Sequence, residues 1–295
     1  MVLFARLRAC VMRACVRACA CVCVQLEYSS SRAKAAAAQR REPAQVMLED
    51  ITHTLDKTSV SLLFKIGDDL RQDMLVIRLF EMFEGFWRKH GLDLPLPRNR
   101  IISTWRDGGV VEIVPDSATL AEIQTTFGGG VFGSFAKSPI TQYLQTHNAD
   151  ADTFAASLDL FTRSLAAACV SSCVLGFGDR HNDNIMVTKA GQLFHIDFGH
   201  FLGHTMLAPT GQRRERTRFV LTQAMVHTVR QLHGDDGMRR LVELCVKAYL
   251  ILRSKASLVL QYVLSVLLPL LYLLVTRLVE DAWWWWWWRR WRRRW

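Results

Sequence analysis

Gly178-Asp179-Arg180-His181-Asn182-Asp183-Asn184 is a polar run set between two apolar stretches. Before it, Phe154 to Leu175 is almost wholly apolar and reads as a buried helix. After it, residues 184–188 and 192–197 flank Lys189-Ala190-Gly191, which signals a hairpin. A buried scaffold that presents Asp, Arg, His and Asn on one short loop has the construction of an active-site loop. The second arm of the hairpin runs into His195-Ile196-Asp197-Phe198-Gly199-His200. Because the hairpin folds the chain back, Asn184 and Asp197, thirteen residues apart, can face one point. An amide oxygen and a carboxylate at one point suit Mg²⁺, a hard cation held by one or two protein oxygens plus phosphates.

Working outward, Ser61 to Ile66 reads as a strand that ends at Gly67 and carries Lys65. A strand lysine reaches phosphate oxygens as a point charge. From Gln72 to Lys89, Leu75, Leu79, Met82, Phe83 and Phe86 recur at helical spacing, and Gly91 stops the helix. Arg100 to Trp105 and Val110 to Val114 are apolar runs around Asp107-Gly108-Gly109, a second hairpin signal, and Pro115 ends the second run. Gly128-Gly129-Gly130 marks a loop, and Leu241, Leu244, Cys245, Ala248, Tyr249 and Leu252 form a helical stripe. The order predicts an α+β fold with a small sheet-bearing lobe, a larger mainly helical lobe and a cleft between them. A lysine, a metal pair and a loop for the acceptor hydroxyl are the parts of phosphoryl transfer. Taken singly, Asp-Phe-Gly is more often a turn, a strand lysine is more often solvated, and His181 is more often structural. Their joint occurrence at this spacing is what carries the reading.

The chain has 295 residues, 50% hydrophobic and 22% charged, with a formal charge of +10. That excludes a disordered tail and a disulfide mini-protein. The positive charge belongs to the ends. Residues 1–48 hold eight Arg/Lys against Glu27 and Glu42, and the last seven residues hold five Arg, whereas residues 49–288 carry 24 basic and 25 acidic side chains. The body therefore gives no sign of a nucleic-acid partner. Five of the eight cysteines fall in the first 23 residues, within an Arg-Ala-Cys near-repeat. No early histidine and no CxxC pair supports a metal site there, and low-complexity sequence is preferred over a transit peptide. Cys169, Cys173 and Cys245 read as reduced core residues of a cytosolic protein. Leu258 to Thr276 is uncharged and long enough to span a bilayer. Gln261, Ser265, Pro269 and the amphipathic helix just before it favour a non-spanning reading. Trp283 to Trp288 and the Arg/Trp end fit no helix or strand period. The expected organisation is a low-complexity end (1–48), a small lobe with its hinge (49–115), a larger lobe (116–267) and an atypical end (268–295).

Over about residues 60–255 the chain resembles the catalytic domain of phosphatidylinositol 3-kinases. The carrying stretches are Phe64-Lys65-Ile66-Gly67-Asp68-Asp69-Leu70-Arg71-Gln72-Asp73-Met74, Gly91-Leu92-Asp93-Leu94, the two runs quoted above, and Arg216-Thr217-Arg218-Phe219-Val220-Leu221-Thr222. The order Asp179-Arg180-His181 is that of lipid kinases and their large protein-kinase relatives rather than the His-Arg-Asp of protein kinases. The resemblance implies a bilobal protein-kinase-like fold and an ATP- and Mg²⁺-dependent lipid 3-kinase. Lys65 would contact the ATP phosphates, with Asp73 helping to orient it. Glu112 and Val114 would lie at the hinge that holds adenine, and Met186 and Ile196, with Ile185, would floor its pocket. Asn184 and Asp197 would hold Mg²⁺. The catalytic set would be Asp179, Arg180, His181 and His200, with either Asp179 or His181 accepting the inositol hydroxyl proton and His200 near the transferring phosphate.

The activation loop would run to about Thr222, with Arg213, Arg214, Arg216 and Arg218 placed to bind the lipid headgroup. One basic box there is similar to the class II pattern, which implies phosphatidylinositol or its 4-phosphate as acceptor. The implied partner is a phosphoinositide at a membrane surface, with a regulatory subunit left open, no nucleic acid, and a cytoplasmic, peripherally membrane-associated location. A related protein Ser/Thr kinase and an inactive membrane-associated fragment are the alternatives. The chain departs from the family in three places. Ser29-Ser30-Ser31 lies 34–36 residues before Lys65, farther than the phosphate loop should, which leaves the first two strands of the small lobe without a clear counterpart. Asn99 stands near an expected tyrosine, and Trp105 stands where a small residue is usual. The family's last helices give way to the Leu-rich and Trp-rich end.

Overall fold

A computed structural model describes residues 8–10, 21–27, 59–105, 108–128, 138–203 and 217–266. The chain divides into two compact units, residues 1–248 and 249–295. The first contains both sheets and every residue of the candidate site that is described.

Its elements run in the order β1 (Arg8–Cys10), β2 (Cys21–Glu27), β3 (Ser59–Ile66), α1 (Arg71–Lys89), β4 (Ile101–Trp105), β5 (Gly108–Glu112), β6 (Ser117–Thr119), α2 (Leu120–Phe127), α3 (Pro139–His147), α4 (Ala151–Leu175), a 3₁₀ turn (Asn182–Asn184), β7 (Ile185–Thr188), β8 (Leu193–His195), α5 (Gln223–His233) and α6 (Asp235–Ser254), whose last residues belong to the second unit. A five-stranded antiparallel sheet has the order β1-β2-β3-β5-β4, and a three-stranded one the order β6-β7-β8. The mixture of small sheets and predominant helix agrees with the α+β expectation. The sequence reading of residues 1–48 rested on the Arg-Ala-Cys near-repeat. The structure takes Cys21–Glu27 from that segment as a strand, in register from Cys21 opposite Lys65 to Glu27 opposite Ser59. Cys-Val-Cys-Val-Gln-Leu-Glu has the β-branched alternation that a strand needs.

β3 is the central strand of the larger sheet. Lys65 lies opposite Gly109, and Leu62 lies opposite Glu112. Gly109 admits no side chain, because a Cβ there would sit 2.2 Å from the Ile102 carbonyl oxygen. Gly67, at φ 89°, turns the chain out of β3 towards α1.

α1 is amphipathic: Val76, Leu79, Phe80, Phe83 and Trp87 recur at steps of three, one, three and four and are buried. The Trp87 indole Nε1 donates to the Ala248 carbonyl of α6 at 3.1 Å. α4 is the core of the helical part. Asp150 caps its start by accepting from the amides of Asp152 and Thr153, and Gly176 ends it in the left-handed conformation at φ 63°. Among the described residues α4 is the one helix long and apolar enough to cross a membrane, but 72% of its apolar window is buried inside the protein, as in a core helix. Arg163 of α4 pairs with Asp93 and Asp159, and Arg240 of α6 shares Asp159. Cys169, Cys173 and Cys245 are free thiols, and burial pushes the Cys169 thiol far up.

In the second unit Ala256–Val266 forms a short apolar helix, α7. Residues 267–276 of the uncharged stretch, the Trp/Arg end, Ser29-Ser30-Ser31 and Gly129-Gly130 lie outside the described residues.

The Trp87 contact yields a graded expectation. Trp87→Phe removes the hydrogen bond and should lower the unfolding free energy by about 1 kcal/mol. Trp87→Ala also leaves a cavity and should cost about 3–5 kcal/mol, read from urea denaturation.

Candidate active site

Lys65 is buried at the end of β3, and three carboxylates surround its ammonium group. Asp68, three residues on around the Gly67 turn, pairs with it directly. Asp197 Oδ2, 132 positions further along the chain, approaches to 3.3 Å. Burial alone would depress the lysine pKa, but Asp197, Asp68 and Asp73 together outweigh it and hold the ammonium well above the usual lysine range. The complementary effect acts on Asp197. Burial would raise its carboxyl, and the Lys65 charge, aided by the Gly199 amide and Arg180, brings it below the ordinary carboxylate value.

Asp73 stands on the first turn of α1, 4% exposed. Sequence reasoning placed it beside the lysine as an orienting group. In the structure its Oδ1 instead accepts the Phe198 amide at 3.0 Å, and its effect on Lys65 is exerted through space. Its Oδ2 is buried without a hydrogen-bond partner. Burial pushes this carboxyl up to about 6, against the Phe198 amide and Lys65, which pull it down, while Asp197 and Asp68 add to the rise.

The loop after α4 is tied to the same strand end. Arg180 donates through Nε to the Gly178 carbonyl and through Nη1 to the Ile196 carbonyl, both at 2.7 Å, and through Nη2 to the Asp197 carbonyl. Its guanidinium carbon also lies 6.0 Å and 5.7 Å from the ring centres of Phe177 and Phe198. Asn184 is buried. Its Nδ2 donates to the Asp179 carbonyl at 2.9 Å, and its own carbonyl accepts the Ile196 amide at 3.1 Å. Gly178 donates its amide to the His200 carbonyl at 2.8 Å. Asp179 and Asp197 both occupy the left-handed region, at φ 54° and 59°. Outside glycine that conformation persists where the surroundings impose it, and here the Arg180 and Asn184 bonds do so.

Behind these residues three aromatic rings pack together. Phe80 of α1 meets Phe177 edge-on at 5.9 Å and Phe198 at 5.4 Å, and Phe177 and Phe198 lie 5.0 Å apart. His195 is fully enclosed beside Phe177, its Nδ1 3.3 Å from the Ser172 hydroxyl, and burial pushes its pKa down to about 3. It is a neutral structural histidine.

His181 is half exposed. Its Nε2 lies 3.9 Å from Asp179 Oδ2, and its Nδ1 accepts the Asp183 amide at 3.2 Å. Asn182 donates to Gln124 Oε1 of α2 at 2.9 Å, which fastens the loop from the other side. Glu112 ends β5 with its Oε2 on the Arg100 amide at 3.1 Å. The Val114 carbonyl accepts the Ser117 hydroxyl at 2.8 Å, which turns the chain into β6. Met186 pairs with Thr119 and Phe194 across the smaller sheet. Arg218 is exposed, and Arg213, Arg214 and Arg216 lie outside the described residues.

The structure thus gathers Lys65, Asp73, Arg180, Asn184, Ile196 and Asp197 at one place. Sequence reasoning assigned no role to Asp68, Gln124, Asn182 or the three phenylalanines. Asp68 alone left a readable sign, an acid three residues past the lysine across a glycine. Among the described residues no group of three or more His, Cys, Asp or Glu side chains is placed to hold a metal. The donor set of Asn184 and Asp197 offers hard oxygens only, in the small number that Mg²⁺ takes when phosphates complete its shell, so the residues fit that ion.

Asp73 generates a pH expectation. In the unfolded chain its carboxyl ionises near the ordinary value of 3.8; folded, it holds the proton to about 6. Between those values the unfolded state loses a proton that the folded state keeps, so native stability falls as pH rises through the window. Asp73→Asn does not titrate and keeps an acceptor for Phe198. Its stability relative to the parent should rise by about 1–3 kcal/mol from pH 4 to pH 7, measured by denaturation at fixed pH values. A gap independent of pH would contradict the assignment.

The model of the phosphatidylinositol 3- and 4-kinase family matches residues 59–269. The chain is 40% identical over 213 residues to phosphatidylinositol 4-phosphate 3-kinase C2 domain-containing subunit alpha of Pongo abelii, covering 71% of this chain and 12% of that protein. It is 42% identical over 201 residues to phosphatidylinositol 3-kinase 1 of Dictyostelium discoideum, covering 68% and 12%. With phosphatidylinositol 3-kinase C2 domain-containing subunit gamma of Homo sapiens the values are 40% over 203 residues, 68% and 14%. The chain therefore spans about an eighth of the length of these relatives. With the family model covering well over half of its residues and falling on both halves of the charged site, the chain belongs to the phosphatidylinositol 3- and 4-kinase family.

Proposed function

We propose that this chain is the catalytic part of a lipid kinase that transfers the ATP γ-phosphate to the 3-hydroxyl of phosphatidylinositol or its 4-phosphate. The observation that carries the reading is the meeting of Lys65 and Asp197, 132 positions apart, at 3.3 Å, with the Asp179–Asn184 loop tied to the same strand end by Arg180. In the bilobal reading β3 and α1 belong to the small lobe and the loop and β8 to the large one, and ATP lies between them.

Lys65 binds phosphate oxygens and withdraws charge from them as the transfer proceeds. Asn184 and Asp197 would hold Mg²⁺, which, when bound, neutralises charge on the β- and γ-phosphates. Glu112 and Val114 supply backbone groups for adenine, with Met186 and Ile196 beneath it. The inositol hydroxyl oxygen bonds to the γ-phosphorus as the bond to the ADP oxygen breaks, and its proton passes to the Asp179 carboxylate. His181 Nε2, which carries the ring proton because Nδ1 accepts the Asp183 amide, lies 3.9 Å from Asp179 Oδ2 and orients that carboxylate. Arg180 positions both segments rather than touching substrate. His200 lies next to the transferring phosphate, and Arg213, Arg214, Arg216 and Arg218 face the headgroup at the membrane surface of a cytoplasmic, peripherally bound enzyme. Two relatives named for their C2 domains, one of them also for the 4-phosphate, support the choice of acceptor.

Vesicles containing phosphatidylinositol, its 4-phosphate or its 4,5-bisphosphate, with Mg²⁺ and labelled ATP, test the proposal. Product should form on the first two in preference to the third, and EDTA should stop it. Asp197→Asn should lower turnover about 100-fold or more with the thermal transition retained. Phosphorylation of a serine peptide without lipid turnover would establish the protein-kinase alternative, and no turnover with any acceptor would establish the inactive one.

Gln124 provides a second test. Gln124→Leu should lower kcat about tenfold and leave the KM for ATP within about twofold, since it loosens the acceptor loop alone. Gln124→Glu retains an acceptor for Asn182 and should retain most of the turnover.

A further inference from the structure

The Lys65 side chain is 11% exposed, so its charge is balanced by protein groups rather than by water. Two carboxylates touch its ammonium group, Asp68 directly and Asp197 Oδ2 at 3.3 Å. Asp73 acts on it through space, since its Oδ1 accepts the Phe198 amide. The two touching partners differ in what else they serve. Asp197 Oδ1 also accepts the Gly199 amide at 3.5 Å, and with Asn184 this carboxylate fits Mg²⁺. Asp68 sits three residues past Lys65, across the Gly67 turn, and among the described residues its carboxylate pairs with Lys65 alone. It is placed by the same β3–α1 connection that carries Lys65, whereas Asp197 belongs to the segment after β8. One carboxylate cannot give its full charge to an ammonium group and to a divalent cation at once. When Asp197 serves the cation, Lys65 loses one of its two contact partners while its side chain stays buried.

We infer that Asp68 is a positioning residue for metal binding: it keeps Lys65 neutralised and in place while Asp197 serves the divalent cation. The inference rests on the function proposed above, through Asn184 and Asp197 as metal donors. Without Asp68, Lys65 depends on Asp197 and competes with the cation for it. The loss of one negative charge lowers the attraction of the cluster for a cation in the same direction. Anionic phosphates respond with the opposite sign, because Asp68 repels them and shares Lys65 with them. The signature is weaker metal binding without weaker metal-free nucleotide binding. A residue that merely supported the β3–α1 turn would weaken both.

The test titrates the full chain with Mn²⁺ and follows the broadening of the Asn184 side-chain amide resonances, with no nucleotide and no turnover required. Half-broadening in Asp68→Asn should need about tenfold more Mn²⁺ than in the parent. Asp68→Glu keeps the charge and should return the titration to within about threefold of the parent. ADP binding in EDTA, read by calorimetry, should be as tight in Asp68→Asn as in the parent or tighter. Equal Mn²⁺ titrations of the parent and Asp68→Asn overturn the inference, as does a loss of ADP affinity in EDTA that matches the loss of Mn²⁺ affinity. A Glu variant as weak as the Asn variant overturns the charge assignment. Absence of selective broadening at Asn184 in the parent overturns the metal donors and the inference with them. A chain that turns over no lipid leaves both titrations readable, so failure of the kinase reading is told apart from failure of the role given to Asp68.

Discussion

Everything in the charged site depends on the burial of one ammonium group among three carboxylates. Lys65 cannot be placed at the end of β3 without partners, because an isolated charge in that environment would lose its proton. Asp68 and Asp197 supply them, and Asp197 reaches it because the segment after β8 is held against α1 through Phe198. Counted as charges, the cluster has two cations, Lys65 and the Arg180 guanidinium beside Asp197, against three potential anions. Asp73 relieves part of the excess by holding its proton longer, with the carboxyl pushed up to about 6. What remains is a concentration of negative charge beside hard oxygen donors, which is the electrostatic setting a divalent cation prefers.

That constraint explains why the aromatic cluster and Arg180 are where they are. The Phe198 amide goes to Asp73, so the residue after Asp197 is fixed to α1, and its ring packs on Phe80 of the same helix. Arg180 then fixes the carbonyls of Ile196 and Asp197 to the loop that carries Asp179 and His181. An apolar contact and a polar one thereby hold the same strand end from opposite directions. Neither would suffice alone: ring packing sets distance but little orientation, and guanidinium bonds to carbonyls set orientation but weaken in water.

Much of this was legible in the sequence, and the parts that were not share a physical cause. β3, α1 and the β7–β8 hairpin follow from periodicity and turn residues, which are local. Asn184 and Asp197 are brought together by a hairpin of readable length. β2 was hidden because the Arg-Cys near-repeat dominates its neighbourhood, although Cys21–Glu27 alternates as a strand should. Asp73 reads from the sequence as helping to orient the lysine, but the hydrogen bond it accepts from a backbone amide 125 positions away does not. Backbone partners leave no mark on sequence, since every residue but proline carries an amide. The Gln124–Asn182 bond was likewise invisible, because neither residue type announces its partner across 58 positions.

The short link after β5 joins the two ends of the proposed reaction. Val114 accepts the Ser117 hydroxyl, and β6 then pairs Thr119 with Met186 of β7, two residues past Asn184. Thr119 is also the cap of α2, in a capping box with Glu122, and Gln124 one turn later holds Asn182. On the proposed reading, adenine recognition at Val114 and acceptor positioning in the Asp179–Asn184 loop are both tied to one ribbon, residues 114–124. A nucleotide seated against the start of that ribbon has its phosphates measured from the same frame as the acceptor loop. Such pre-alignment matters because phosphoryl transfer offers a protein little covalent chemistry to perform, and positioning supplies most of what it can contribute.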